Sequence, residues 1–181
     1  MSRKYYYFAA SLPMLSFGLR PQLSNEDFLS VSSDFLTRGD QEIIKNTMLV
    51  PEKRDGMNVS ALIQWVRFED ALRNELVKYR AKKLGRDPRE FYRGEYIPDP
   101  YLAAIINEAA GAENPLLVER RIDLIRWERL DEMELQHYFD LDFLIIYFLK
   151  LQILNKWNDI RAEKGRAILD ELLKPAKEPK K

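Results

Sequence analysis

The chain has no cysteine. That excludes disulfides and thiolate zinc sites, and it suits a reducing compartment. It has one histidine, His137, so a site that needs two imidazoles is excluded. Neither a G-x-x-x-x-G-K-[ST] loop nor a G-x-G-x-x-G turn occurs, which removes nucleotide binding through those phosphate cradles. No Ser/His/Asp or Cys/His set is recognisable. An excess of one charge is missing too, with Lys+Arg 29 against Asp+Glu 29. A dedicated nucleic-acid binder usually carries a basic surplus that displaces counterions. The longest apolar run, Phe143 to Leu149, is bracketed by Asp142 and Lys150. It falls far short of the ~18 to 20 residues that span a bilayer.

What is present is globular in character. The 181 residues are 46% hydrophobic and 32% charged, enough to bury roughly 70% of the surface that the unfolded chain exposes. The opening "YYYFAASLPML", residues 5–15, follows Arg3 and Lys4 and invites a signal-peptide reading. Tyr is a poor h-region residue, Pro13 interrupts the run, and no small-x-small site follows. It reads instead as the first element of a helical bundle, with Tyr and Phe in the core and Tyr hydroxyls at its edge. Pro13 would end or kink it.

Helical spacing dominates the rest. Ser24 with Asp27 makes a capping-box start for a helix carrying Phe28 and Leu29, with Phe35 and Leu36 sharing that apolar face. Asp40 is placed as the cap of a short helix through residues 41–50, ended by Pro51. Leu62, Trp65, Leu72, Leu76 and Tyr79 recur at steps of three and four over residues 59–84. The opposite, polar face is assigned Arg67, Asp70, Arg73, Asn74, Lys78 and Lys82. Gly85 stands at the stop position. Asp99-Pro100 and Asn114-Pro115 each pair an N-cap with an N1 proline. The stretch after Pro115 holds no Gly or Pro until Gly165, and a break is placed near residues 137–140. Gly165 is assigned to a turn before a last short helix. The expectation is an all-α, compact multi-helix bundle with two long helices. It forms a single domain over residues 1–173, any sub-division falling near 85–99, with a basic disordered tail at 174–181.

Glu134 and His137 form an E-x-x-H pair, whose i,i+3 spacing places two ligands on one helix face in di-iron bundles. Such sites need a second histidine motif, so no metal and no cofactor is expected. Asp123, Glu128, Asp131, Glu132, Glu134, Asp140 and Asp142 interleave with Arg120, Arg121, Arg126 and Arg129. That alternation reads as a solvated, ion-paired face rather than a hydrolytic pair. Residues 78–93 hold seven basic side chains against Asp87 and Glu90. Within that block Lys82, Lys83, Arg86 and Arg89 are the candidate partner-docking residues.

Two ends of the chain carry a family resemblance. "LKLQILNKWNDIRAEKGRAILDELL", residues 149–173, resembles the closing helical signature of the C-type socket component of V/A-type rotary ATPases, the d-type component of eukaryotic V-ATPases. In that family the socket sits between the membrane rotor ring and the soluble central shaft. Asn158, Ile160, Arg161, Lys164 and Gly165, then Ile168 and Leu172, stand in comparable places. The opening aromatic run and "LSNEDFLSV" are similar in rhythm to the first helix of the socket. Over nearly its full length the chain is also similar to a small bacterial family encoded in V/A-type ATPase operons, whose members open with Tyr-Tyr-Tyr and Ala-Ser-Leu-Pro. The typical socket is nearly twice as long and has three related helical modules, and this chain has room for about half of that. The resemblance implies a non-catalytic subunit or assembly component that links the central shaft to the membrane rotor. Its partners would be the central-stalk and rotor subunits. It would be cytoplasmic and peripheral to the inner membrane, touching the membrane only through those partners, with no nucleic-acid role. A free-standing helical adaptor, or a metal-dependent bundle enzyme using Glu134 and His137, are the rival readings.

Overall fold

The computed structural model describes residues 5–51, 58–111 and 114–172, with side chains through Glu163. The described residues form seven α-helices: α1 Tyr6–Ser11, α2 Asn25–Ser32, α3 Arg38–Lys45, α4 Ser60–Leu84, α5 Pro100–Ala110, α6 Pro115–Glu134 and α7 Leu141–Leu172. A 3-10 turn, Pro88–Phe91, lies between α4 and α5. The all-α expectation holds for these residues. The proposed basic tail at 174–181 lies outside them.

Local chemistry accounts for most of the boundaries. The amide of Asp27 donates to Ser24 Oγ at 3.0 Å, and the amide of Ser24 donates to Asp27 Oδ2 at 3.2 Å, closing the capping box. Asp99 Oδ1 accepts from the amides of Tyr101 and Leu102, and Asn114 Oδ1 accepts from Leu116. Each cap stands before an N1 proline, whose missing N–H needs no partner. Gly85 ends α4 in the left-handed conformation, φ +64°, and the amide of Arg86 closes back onto the Ala81 carbonyl at 3.0 Å. The break between α6 and α7 falls at residues 135–140, and Asp140 Oδ1 restarts the helix by accepting from the Phe143 amide at 2.9 Å.

Two boundaries differ from the sequence expectation. The third helix begins at Arg38 and ends at Lys45, because Thr37 rather than Asp40 supplies the cap, accepting from the Asp40 amide at 3.3 Å. The helix stops before Pro51. Asn46 Nδ2 and Thr47 Oγ1 donate to the Glu42 and Ile43 carbonyls, side chains thereby taking over the last helical acceptors. The Gly165 turn is also absent, since α7 runs unbroken to Leu172. A lone glycine costs about 1 kcal/mol relative to alanine in a helix, and Ala162, Glu163, Arg166 and Ala167 around it are strong helix formers.

The buried stretch Leu144–Leu149 of α7 is the centre of the main apolar cluster, with Phe8, Phe28, Trp65, Trp127 and Leu130 around it. Phe28 stacks on Phe148 at 5.0 Å and lies 5.6 Å from Tyr147. A second cluster joins Leu72, Leu102, Ile106, Ile122 and Ile125, and Phe68 packs against both. The opening aromatic run is split between core and surface. Phe8 is buried and the Tyr5 hydroxyl donates to Asp40, while Tyr6 and Tyr7 face outward. The Tyr147 hydroxyl donates to the Pro13 carbonyl at 2.8 Å, and burial pushes its pKa up to about 12.

Polar side chains of α7 pin the chain's irregular segments. Gln152 accepts from the Leu49 amide and donates to the Thr47 carbonyl. Asn155 donates to the Leu23 carbonyl and to Asn25 Oδ1. Trp65, wholly buried, donates through Nε1 to the Leu49 carbonyl at 3.2 Å. Trp65→Ala and Phe148→Ala should therefore each lower the unfolding free energy by about 3–5 kcal/mol. Urea unfolding measures this, and unchanged midpoints in both variants would show that neither ring is in the core.

Candidate interaction surfaces and the buried ionic network

Glu69 sits within the apolar stripe of α4, four residues after Trp65 and three before Leu72. Arg126 occupies the matching place on α6, between Ile122 and Leu130. The two meet in the interior. Arg126 Nε donates to Glu69 Oε1 at 2.6 Å and Nη2 to Oε2 at 3.1 Å. Its third nitrogen, Nη1, donates to Asp123 Oδ1 at 2.8 Å. The other oxygen of Asp123 accepts from Lys156 Nζ at 2.8 Å and Trp157 Nε1 at 2.9 Å, both on α7. Lys156 also pairs with Glu119. Burial opposes the charge on Arg126, but the hydrogen bonds and attraction of Glu69 and then Asp123 outweigh it and raise its pKa.

All four carboxylate oxygens of Glu69 and Asp123 are thus engaged by cations or N–H donors, and three helices share the network. Such a network holds elements in register, since each of its acids and bases already has a partner on another residue. The solvated face expected for Arg126 and Asp123 is therefore corrected: both are buried. The polar face assigned to Arg73 and Asn74 is corrected likewise, since Arg73 is half-buried and Asn74 is buried. The Asn74 amide clasps the main chain of Arg93, with Nδ2 donating to the Arg93 carbonyl at 3.0 Å and the Arg93 amide donating to Oδ1 at 2.8 Å. Nearby, Tyr96 donates to Glu75 Oε1 at 2.7 Å and stacks on Tyr92 at 4.4 Å. The connection over residues 85–99 is thereby fastened along the second half of α4.

Lys82, Lys83, Arg86 and Arg89 are all exposed at the far end of α4. Lys83 lies over the Tyr79 ring at 4.7 Å, and Arg89 Nε is 3.6 Å from Asp87. The residues that carry the family resemblance are placed on α7. Asn158 and Ile160 are half-buried. Arg161 donates to the Gly18 carbonyl at 3.1 Å and the Trp157 carbonyl at 3.2 Å. Lys164 and Gly165 continue the helical backbone, and their side-chain surroundings lie outside the described residues.

Glu134 and His137 do not act as an i,i+3 pair. The sixth helix ends at Glu134, whose carboxylate is held by Lys150. His137 Nδ1 instead lies 3.0 Å from Asp140 Oδ2, and ligand atoms of His137, Asp140 and Asp142 lie within 4.8 Å of one another. Asp140 and Asp142 already have structural duties, since Asp142 Oδ1 accepts from the Ala61 amide at 2.6 Å and so caps α4 from another helix. Beside this turn Tyr6, Tyr7, Leu135, Tyr138 and Phe139 are exposed, with the Tyr6 and Phe139 rings 4.9 Å apart. No helix among the described residues is long and apolar enough to cross a membrane.

If the network fixes the helices, Arg126→Met should destabilise the fold by about 3–5 kcal/mol, because Glu69 is left buried without its charge partner. Adding Glu69→Leu should recover most of that loss. Chemical denaturation of the two variants measures the coupling, and an unaltered single variant would show that the ion pair is dispensable.

The family model described as "Protein of unknown function (DUF2764)" matches residues 87–178, a span that begins at the 3-10 turn and takes in α5, α6 and α7. No curated protein matches the chain. No solved structure matches it either.

Proposed function

The chain belongs to the DUF2764 family, and we propose that it is a non-catalytic connecting or assembly component of a V/A-type rotary ATPase, similar to a shortened C-type socket. The observation that supports this reading is an internally paired body with exposed aromatic side chains near one end of α4 and exposed cations near the other. The first turn of α4 is tied to Asp142, next to the exposed Tyr and Phe side chains. The exposed cations stand at the other end of the same 25-residue helix, about 37 Å away at 1.5 Å per residue. Exposed aromatic clusters and one-signed charge patches are both common features of contact surfaces. A part that passes torque between two bodies needs stiffness between them, and the ionic network provides it. The resemblance of residues 149–173 to the closing helix of the socket supplies the partner class: central-stalk and membrane rotor subunits. On this reading the protein works on the cytoplasmic side, peripheral to the inner membrane, and meets the membrane only through those subunits.

Affinity purification of tagged protein from its native cells, under gentle low-salt conditions, should recover V/A-type ATPase subunits. Reversing Lys82, Lys83, Arg86 and Arg89 to Glu should slow association and flatten its salt dependence, since rim charges act chiefly on encounter. Stability should change by less than about 0.5 kcal/mol per exposed site. Recovery of no ATPase subunit would remove the motor reading and favour the free-standing adaptor.

A further inference from the structure

We propose that the groove between α4 and α6 is the face on which two copies of this chain pair about a two-fold axis. The proposal goes beyond the motor reading and does not rest on it.

The two walls of the groove are set by the ionic network. Phe68 and Glu69 are consecutive on α4, and Ile125 and Arg126 are consecutive on α6. Glu69 and Arg126 join the helices inside the fold. Phe68 and Ile125, with Ala71 of α4 and Leu102 of α5, floor a cavity of about 500 Å³. All four belong to the second apolar cluster or pack against it, so the floor is an edge of that core. Tyr101 lines the same cavity and is 69% exposed. A large aromatic side chain at an apolar depression is a common anchor of protein interfaces. Walls already fixed by a buried ion pair lose little freedom when a partner settles on them.

The charges on the walls select the occupant. Arg67 lines the α4 wall and Glu128 the α6 wall. Both are exposed, and neither has a hydrogen bond, ion pair or ring contact among the described residues. Arg129 is satisfied by Glu132 of its own helix at 2.8 Å, and Asp99 is engaged as the cap of α5. A cation without a partner on one wall and an anion without one on the other make a face that complements itself. Under a two-fold rotation Arg67 of each copy meets Glu128 of the other, so one residue pair supplies two contacts. A uniformly acidic or basic partner would gain at one wall and lose at the other. The whole chain carries no net charge, with Lys+Arg 29 against Asp+Glu 29, so two copies approach without long-range repulsion.

The test is sedimentation velocity of the purified full-length protein from about 1 μM to about 100 μM, a span that covers weak dimers. The wild type should show a monomer–dimer equilibrium that moves toward monomer as salt is added. Arg67→Glu and Glu128→Lys should each weaken pairing about tenfold, because one reversal turns two attractions into two repulsions. The variant carrying both reversals should return to within about threefold of the wild type, since it exchanges the walls and keeps the pair. Tyr101→Ala should weaken pairing about tenfold as well. All three side chains are exposed, so thermal unfolding of the diluted, monomeric variants should match the wild type. A monomer at every concentration overturns the proposal. A dimer that neither reversal weakens overturns it too, as does a double variant that pairs no better than the single ones. Recovery of ATPase subunits by a chain that stays monomeric would overturn the pairing and leave the motor reading in place. A dimer that the double variant restores, with no ATPase subunit recovered, would keep the pairing and remove the motor reading.

Discussion

One guanidinium joins three helices of this fold. Arg126 directs its Nε and Nη2 to Glu69 of α4 and its Nη1 to Asp123 of its own helix, and Asp123 in turn holds Lys156 and Trp157 of α7. Apolar packing alone would let neighbouring helices slide at modest cost, because many registers bury similar area. A set of buried charges is satisfied in only one register. Glu69 also follows Phe68, the residue that packs against both apolar clusters, so the network lies beside their junction.

The same reliance on long-range polar contacts runs through the fold. The start of α4 has no side-chain cap of its own and borrows Asp142. Residues 47–49 are held by Gln152, the Leu23 turn by Asn155, and Pro13 by Tyr147. Each partner is on α7, which acts as the spine onto which irregular segments are fastened. The paired polar groups of α4 and α7 thus lie largely in the interior, and exposed cations and aromatic side chains stand near the two ends of α4. On the functional reading proposed above, that division is the useful property: the interior fixes geometry, and the exposed basic and aromatic ends meet other molecules.

Much of the architecture was legible in the sequence because its signals are local. Asp99-Pro100, Asn114-Pro115, Ser24 with Asp27, and Gly85 each act on backbone groups within a few residues, and each stands at the expected boundary. Two of the misses were choices between neighbouring local signals, and the third was a partner distant in sequence. Thr37 displaced Asp40 as the cap of α3, and helix formers on both sides carried α7 through Gly165. Asn74 looked solvated because its partner, the main chain of Arg93, arrives from nineteen residues away. The ionic core did leave a trace. Glu69 interrupts the stripe of Trp65 and Leu72, and Arg126 interrupts that of Ile122 and Leu130, so charges at apolar positions on two helices could have been paired. The gathering of His137 with Asp140 and Asp142 had no such trace, because it depends on where the α6–α7 turn folds back.

If the ionic network joins α4, α6 and α7 into one cooperative unit, the three helices open together. Native-state hydrogen exchange at the amides of residues 65–76 and 122–130 tests it most directly. These amides should exchange only through global unfolding, with the same free energy on both helices. Exchange of either stretch through a local opening of much lower free energy would contradict it.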